Sequence, residues 1–129
     1  MRLLLDTSAL LWWVTLSGAR ISERARAAIS DPDNEVYVSA ASAWEISIKS
    51  GRGRLTMPQP LDRQLPSLIE KYGFGPLDIS FAHAIRAGSL PDIHGDPFDR
   101  MLVAQAQLER MTLVTPNVSL GRYEVETIW

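Results

Sequence analysis

Leu3-Leu4-Leu5-Asp6-Thr7-Ser8-Ala9 is the stretch from which the fold of this chain is read. Three consecutive leucines suit a strand buried on both faces, as strands of parallel sheets are. Asp6 ends the run with a carboxylate. Thr7-Ser8 can cap a helix that carries Leu10, Leu11 and Val14 on one face. A buried strand feeding a helix, with an acid at the joint, opens a βα unit, and the chain repeats the pattern downstream. Ser22 caps a helix to about Ile29, and the Ser30–Asn34 cluster turns the chain. Val36-Tyr37-Val38 is the second strand, and Ser39 to Ser50 reads as helix with Gly51 as its stop. Leu61 to Tyr72 is helical, although Pro66, tolerated only in a first turn, leaves its start open. Leu77-Asp78-Ile79 reads as a short strand, after which Ser80 caps Phe81 to Ala87. Asp96-Pro97 opens a helix to about Arg110, with Asp at the N-cap and Pro in its best position. Thr112–Thr115 and Val125–Trp129 are the last strands. The order β-α-α-β-α-α-β-α-α-β-β predicts an α/β domain, a three-layer α/β/α sandwich around a mainly parallel sheet. In such sheets functional groups gather at the carboxyl ends of the strands.

With 129 residues, the chain is read as one domain over 1–129. A chain of this size buries about two-thirds of its extended surface, enough for a core without staples. Hydrophobic residues at 46% and charged residues at 22% exclude a disordered, collagenous or coiled-coil chain. With no cysteine there is no disulfide framework or thiolate metal site, and two histidines argue against an imidazole zinc site. The absence of cysteine fits a cytoplasmic protein. Asp6-Thr7-Ser8 breaks the apolar N-terminal segment, and no run reaches the roughly 18 residues of a membrane span, so no membrane is expected. Thirteen basic and fifteen acidic side chains leave a net charge of −2. Nucleic-acid binding by bulk positive charge is therefore not indicated, which leaves a local basic rim.

On this sketch, Asp6 ends strand one, and Glu45 lies in the helix after strand two. Asp99 lies in the first turn of the helix opened by Asp96-Pro97, and Asn117 lies just past the strand ending at Thr115. Oxygen ligands converging without His or Cys suit a hard cation, Mg²⁺ or Mn²⁺. Each residue also has a plain structural reading. Asp6 can cap the first helix, and Ser42-x-x-Glu45 has capping-box spacing. Glu45 can pair with Lys49, and Asp99 sits where a carboxylate favours the helix dipole. His83 and His94 are read as structural, and Trp44 as packed against the sheet.

The strings themselves say more. Leu3-Leu4-Leu5-Asp6-Thr7-Ser8-Ala9 resembles the opening of the PIN (PilT N-terminus) domain family, and Ser42-Ala43-Trp44-Glu45-Ile46-Ser47-Ile48-Lys49 is similar to its second motif. His94-Gly95-Asp96-Pro97-Phe98-Asp99-Arg100-Met101-Leu102-Val103-Ala104-Gln105-Ala106 is similar to its third, and the most specific, motif. Leu113-Val114-Thr115-Pro116-Asn117 falls where the fourth belongs. The resemblance spans essentially the whole chain and is greatest to VapC-type toxins of bacterial toxin–antitoxin pairs. It implies a magnesium-dependent endoribonuclease leaving 5′-phosphate and 3′-hydroxyl ends, with the cation polarising water and clamping phosphate. Asp6, Glu45 and Asp99 match the acidic catalytic and metal positions. Asn117 matches a fourth that is usually Asp, so this chain brings one charge fewer, which Asp96 could offset. Thr7, Ser8 and Thr115 are candidate hydroxyl donors to ligating carboxylates.

The basic residues that can meet RNA phosphates are Lys49, Arg52, Arg54, Arg100 and Arg122, with Arg52 and Arg54 the preferred pair. Trp12 and Trp13 point to different helix faces, so either both are buried in the core or one forms an exposed patch for a dimer or an antitoxin. The resemblance further implies a homodimer neutralised by a VapB-like antitoxin. Two rival readings stand beside it: a binding module weakened by Asn117, and a receiver-like domain phosphorylated on Asp6.

Overall fold

β1 (Arg2–Leu5) alternates its leucines between two cores. Leu3 and Leu5 face one cluster and Leu4 the other, and all three are fully buried. That is the signature of a central strand covered on both faces. This computed structural model describes residues 1–15 and 18–129. After β1 come α1 (Thr7–Val14), a 3₁₀ turn (Gly18–Arg20), α2 (Glu23–Ser30), β2 (Glu35–Ser39), α3 (Ala40–Gly51), α4 (Leu61–Lys71) and β3 (Gly75–Leu77). Then follow α5 (Phe81–Ser89), α6 (Pro97–Glu109), β4 (Thr112–Val114), a second 3₁₀ turn (Val118–Tyr123) and β5 (Thr127–Ile128).

The five strands pair in the order β3-β2-β1-β4-β5, every pair parallel. Leu4 stands opposite Tyr37 on one side and Leu113 on the other. Leu10, Ala25, Ile29 and Leu65 bring α1, α2 and α4 onto one face. Ala87, Leu102, Val103 and Ala106 bring α5 and α6 onto the other. The three-layer α/β/α architecture is thus as expected. The order differs from the β2-β1-β3-β4-β5 of a receiver-like sheet, which removes the support for that rival. No described helix is long and apolar enough to cross a membrane.

Several local expectations are corrected. Asp6 itself caps α1, accepting from the Ala9 amide, so Thr7 is the first helical residue. Ser39, not Ser42, caps α3, because β2 runs into the helix without a loop. Ser42 is therefore buried inside the helix, and the capping-box reading of Glu45 falls. β3 lies two residues earlier than Leu77–Ile79, over Gly75–Leu77. It is an edge strand, where Pro76 costs the sheet no ladder bond on its open side. Pro66 sits at the sixth residue of α4, and the helix survives it because the carbonyl deprived of a partner belongs to water-exposed Asp62. Trp12 packs on Trp129, and Trp13 on Tyr72 and Phe74, so neither supplies the exposed patch. Trp44 does not pack on the sheet: it is 62% exposed and touches Phe98, its ring lying on the outer side of α3.

Candidate active site

The loops after β1 and β4 leave the sheet toward opposite faces, so the crevice between these adjacent strands is the topological switch point, where α/β sheets place ligands. Asp6 stands there, 5% exposed. Its Oδ1 accepts from the Ala9 amide at 2.8 Å, and its Oδ2 accepts from the Thr115 hydroxyl at 2.6 Å. Thr115 Oγ1 in turn accepts from the Asn117 amide at 3.0 Å. The chain therefore ties the end of β1 to the end of β4 through this carboxylate. Burial pushes the Asp6 carboxyl up to about 6 against the lowering pull of both hydrogen bonds, and the negative charges of Asp99 and Glu45 add to the rise.

Asp99 reaches the same crevice from the first turn of α6. Burial raises its pKa, as does the neighbouring Asp96 charge. His94 opposes the rise, with Nε2 2.9 Å from Asp99 Oδ2. Glu45 comes from the second turn of α3, its side chain mostly buried, with Oε2 2.8 Å from Lys49 Nζ. The three expected carboxylates are brought within one another's electrostatic reach. They do not form a closed cage: among the described residues, no three His, Asp or Glu side chains make a group that encloses a metal ion. Each acid is instead held by donors of its own, Asp6 by Thr115 and Ala9, Glu45 by Lys49, and Asp99 by His94. The donor set still fits a hard divalent cation. It is oxygen-rich, and its most buried member, Asp6, is the one whose charge is most costly without a counter-charge.

The remaining expected residues divide. Thr115 bonds a carboxylate as expected. Thr7 does not: its hydroxyl donates to Ser42 Oγ at 3.0 Å, knitting α1 to α3. Among the described residues, no hydrogen bond joins half-buried Ser8 to the three acids. Asp96 is the N-cap of α6, with Oδ1 accepting from the Phe98 and Asp99 amides at 2.8 and 3.1 Å. Asn117 turns its Oδ1 to the Ser119 hydroxyl and amide, capping the second 3₁₀ turn. Lys49 is committed to Glu45, while Arg52, Arg54 and Arg122 are exposed.

Arg100 must leave the RNA-facing set. Its guanidinium donates to the carbonyls of Ala87, Leu90, Pro91 and His94 and to the Tyr123 hydroxyl. It clamps the loop between α5 and α6, and both Nη groups are taken up by that loop rather than turned to an incoming phosphate. The same clamp, with the Tyr123 hydroxyl accepting from the His94 amide at 2.6 Å, sets the place of His94. The contact of His94 with Asp99 was the feature the sequence reading missed. Its only signal was a histidine five positions ahead of the acid, across a loop whose path sequence does not give.

Three comparisons bear on this geometry. The PIN domain family model matches residues 3–125. Ribonuclease VapC16 of Mycobacterium tuberculosis is 40% identical over 58 residues, which are 45% of this chain and 41% of that protein. The match thus spans less than half the length of that relative. Among solved structures, VapBC2 from Rickettsia felis, bound to a DNA fragment from its promoter, superposes with a TM-score of 0.69 at 17% identity, covering 100% of this chain and 99% of that one. A toxin–antitoxin complex from Klebsiella pneumoniae gives 0.66 at 20% identity, covering 98% and 95%. At such identities the structural likeness speaks for the fold, while the family match runs through every element that carries the site. The chain belongs to the PIN domain family.

Proposed function

We propose that this chain is a metal-dependent endoribonuclease, acting in the cytoplasm as the VapC-type toxin of a toxin–antitoxin pair. The observation that carries the reading is Asp6, a carboxylate buried at the switch point and crowded electrostatically by Asp99 and Glu45. Crowding negative charge around a buried carboxylate costs the fold stability, and a bound cation would offset that cost. The partial match to a ribonuclease and the fold shared with toxin–antitoxin complexes support it. Mg²⁺, with Mn²⁺ as a substitute, would be held by Asp6, Glu45 and Asp99; Asn117 would contribute only by turning its oxygen from Ser119, and Asp96 only through Oδ2, since Oδ1 caps α6. When bound, the cation would polarise the attacking water and offset charge on the phosphate.

The chain's own residues do the positioning. Thr115 and the Ala9 amide fix the rotamer of Asp6, and Lys49 Nζ holds Glu45. His94 Nε2, 2.9 Å from Asp99 Oδ2, orients that acid. Arg52 and Arg54 meet the RNA backbone as an exposed positive rim.

The partners follow from two surfaces. A cleft of about 780 Å³ between α3 and α4 is walled by Leu65, Ile69 and Phe74 and edged by Asp62, Glu70 and Asp78. It suits a basic amphipathic segment of an antitoxin. Phe81 and Ile85, 89% and 66% exposed and one turn apart on α5, suit a homodimer.

One observation favours a second reading, a PIN fold kept as a binding module: Asn117 spends its side-chain oxygen on Ser119 rather than on the crevice. Incubating a mixed RNA pool with Mg²⁺, Mn²⁺ or EDTA separates the two. We expect metal-dependent cutting that Asp99→Asn abolishes with the fold intact. Undiminished cutting by Asp99→Asn would overturn the site. No cutting by the parent or by Asn117→Asp would favour the binding module, whereas recovery in Asn117→Asp would mean a working scaffold one charge short.

A further inference from the structure

Two aromatic side chains stand beside the acids, and the positioning just described leaves them unused. Trp44 precedes Glu45 on α3, and Phe98 precedes Asp99 on α6. Consecutive positions on a helix point about 100° apart. On each helix an aromatic ring is thus set next to a carboxylate, and the two helices bring both rings together. The ring centroids are 5.2 Å apart at 73°. An edge-to-face contact uses the face of only one ring, so aromatic surface stays open. Trp44 is 62% exposed, and beside it lies an apolar cleft of about 240 Å³ whose walls include Ile79, Pro97 and Met101 and no acid. An indole in that setting leaves a large apolar plane in water.

We propose that Trp44 and Phe98 form a stacking platform for an unpaired nucleobase of the RNA, an inference that rests on the ribonuclease reading above. Electrostatics favours such a handle here. The crevice is negative, so phosphates approaching it alone are repelled. A base is uncharged and presents a π-face that aromatic side chains bind regardless of base identity. Seating one base on Trp44 anchors the strand one nucleotide's reach from the carboxylates and leaves its phosphate free to enter the crevice. The platform selects single-stranded or looped RNA, because paired bases cannot splay onto a protein ring. A second protein chain seated on the same rings would cover ground next to Glu45 and Asp99 that a phosphodiester must reach.

Binding of a short, fluorescently tagged single-stranded RNA to Asp99→Asn protein, which leaves the RNA uncut, tests the proposal. The comparison adds Trp44→Ala and Trp44→Phe in that background. The controls are a ribose-phosphate oligomer of the same length without bases, the thermal midpoint of each variant, and sedimentation. Removing one stacked base contact weakens affinity roughly 10- to 100-fold. We expect that loss for Trp44→Ala, near-parental binding for Trp44→Phe, and equal binding of the baseless oligomer by all three. Equal affinity of Trp44→Ala and its parent for RNA overturns the platform and leaves the ribonuclease reading standing. An equal loss for the baseless oligomer also overturns it, because a base was then not the contact. So does a Trp44→Ala protein that turns from dimer to monomer as it loses RNA, since the rings then serve a second copy of the chain. Failure of the parent to bind either oligomer removes the ribonuclease reading and the platform with it.

Discussion

Asp6 does two things that pull in opposite directions. As N-cap of α1 and partner of Thr115 it stabilises the joint between β1 and β4, and as a buried charge it costs stability. Its pKa is raised from 3.8 to about 6, so the folded chain holds a proton that the unfolded chain has released between those values. Below both values the group is neutral in either state. As pH rises through the window stability falls, and above it the buried charge costs about 3 kcal/mol. We expect Asp6→Asn, which keeps an N-cap oxygen, to be more stable than the parent in EDTA at pH 7.5 and to show little advantage at pH 4. Thermal melts of both proteins across that range test it; a stability gap that does not widen with pH would refute the burial account. Mg²⁺ should close the gap at pH 7.5 by stabilising the parent alone. Much of this site was legible from single residues. An acid ending a buried strand, one on the helix after the second strand and one after Asp96-Pro97 are local patterns, and all three sit where local patterns put them. The donors that hold them were less legible. Glu45–Lys49 is a helical neighbour pair, and Thr115 stands in the fourth motif as a candidate hydroxyl, while the bond between His94 and Asp99 depends on where the chain folds back.

The loop between α5 and α6 is the element whose role sequence concealed. Its residues read as ordinary turn formers, yet five acceptors on and around it converge on the Arg100 guanidinium. A planar fork that can donate in several directions does what a lysine cannot. The clamp holds His94, and His94 holds Asp99, so Arg100 is a positioning residue for the site. We expect Arg100→Lys to lose about 2–3 kcal/mol of stability, from backbone carbonyls left short of a partner. Cleavage should fall with kcat while KM for RNA stays near parental, because the guanidinium meets no phosphate. A denaturant titration and steady-state kinetics measure both, and a large rise in KM with unchanged stability would restore Arg100 to the RNA contacts. The other misreadings at this scale concern where one element hands over to the next. β2 runs straight into α3, so the cap is Ser39 and Ser42 goes inside. β3 begins at Gly75 rather than Leu77, because an edge strand tolerates a proline that a central strand would not.

At the scale of the molecule, five parallel strands in the order β3-β2-β1-β4-β5 determine which loops can meet. β1 is central and β4 adjoins it, so the loops carrying Asp6 and Thr115 diverge from one crevice. Helices α3 and α6 then lean Glu45 and Asp99 toward that crevice. Alternation of strands and helices announced this layout in the sequence, because buried parallel strands leave unbroken apolar runs. Apolar surface left outside the two cores has no such periodic mark. Trp12 and Trp13 are packed, whereas exposed apolar surface lies at Trp44 and along α5. Positions 81, 84, 85 and 88 of that helix form one uncharged exposed stripe of Phe, Ala, Ile and Gly, on the side turned away from buried His83. A symmetric pairing of two such stripes puts no like charges together, and a stable pair needs about 1,200–2,000 Å² of buried surface in total, which the stripe and its surroundings must supply. We therefore expect the parent chain to sediment as a dimer at micromolar concentration and Phe81→Glu to sediment as a monomer. Phe81 contributes little to the core, so the thermal midpoint of the separated chain should change only by what the lost association contributed. Dimers that survive Phe81→Glu would move the interface away from α5, and a monomeric parent would remove it. Cleavage per chain in the monomer then tells whether each crevice works alone, as the complete set of acids within one chain leads us to expect.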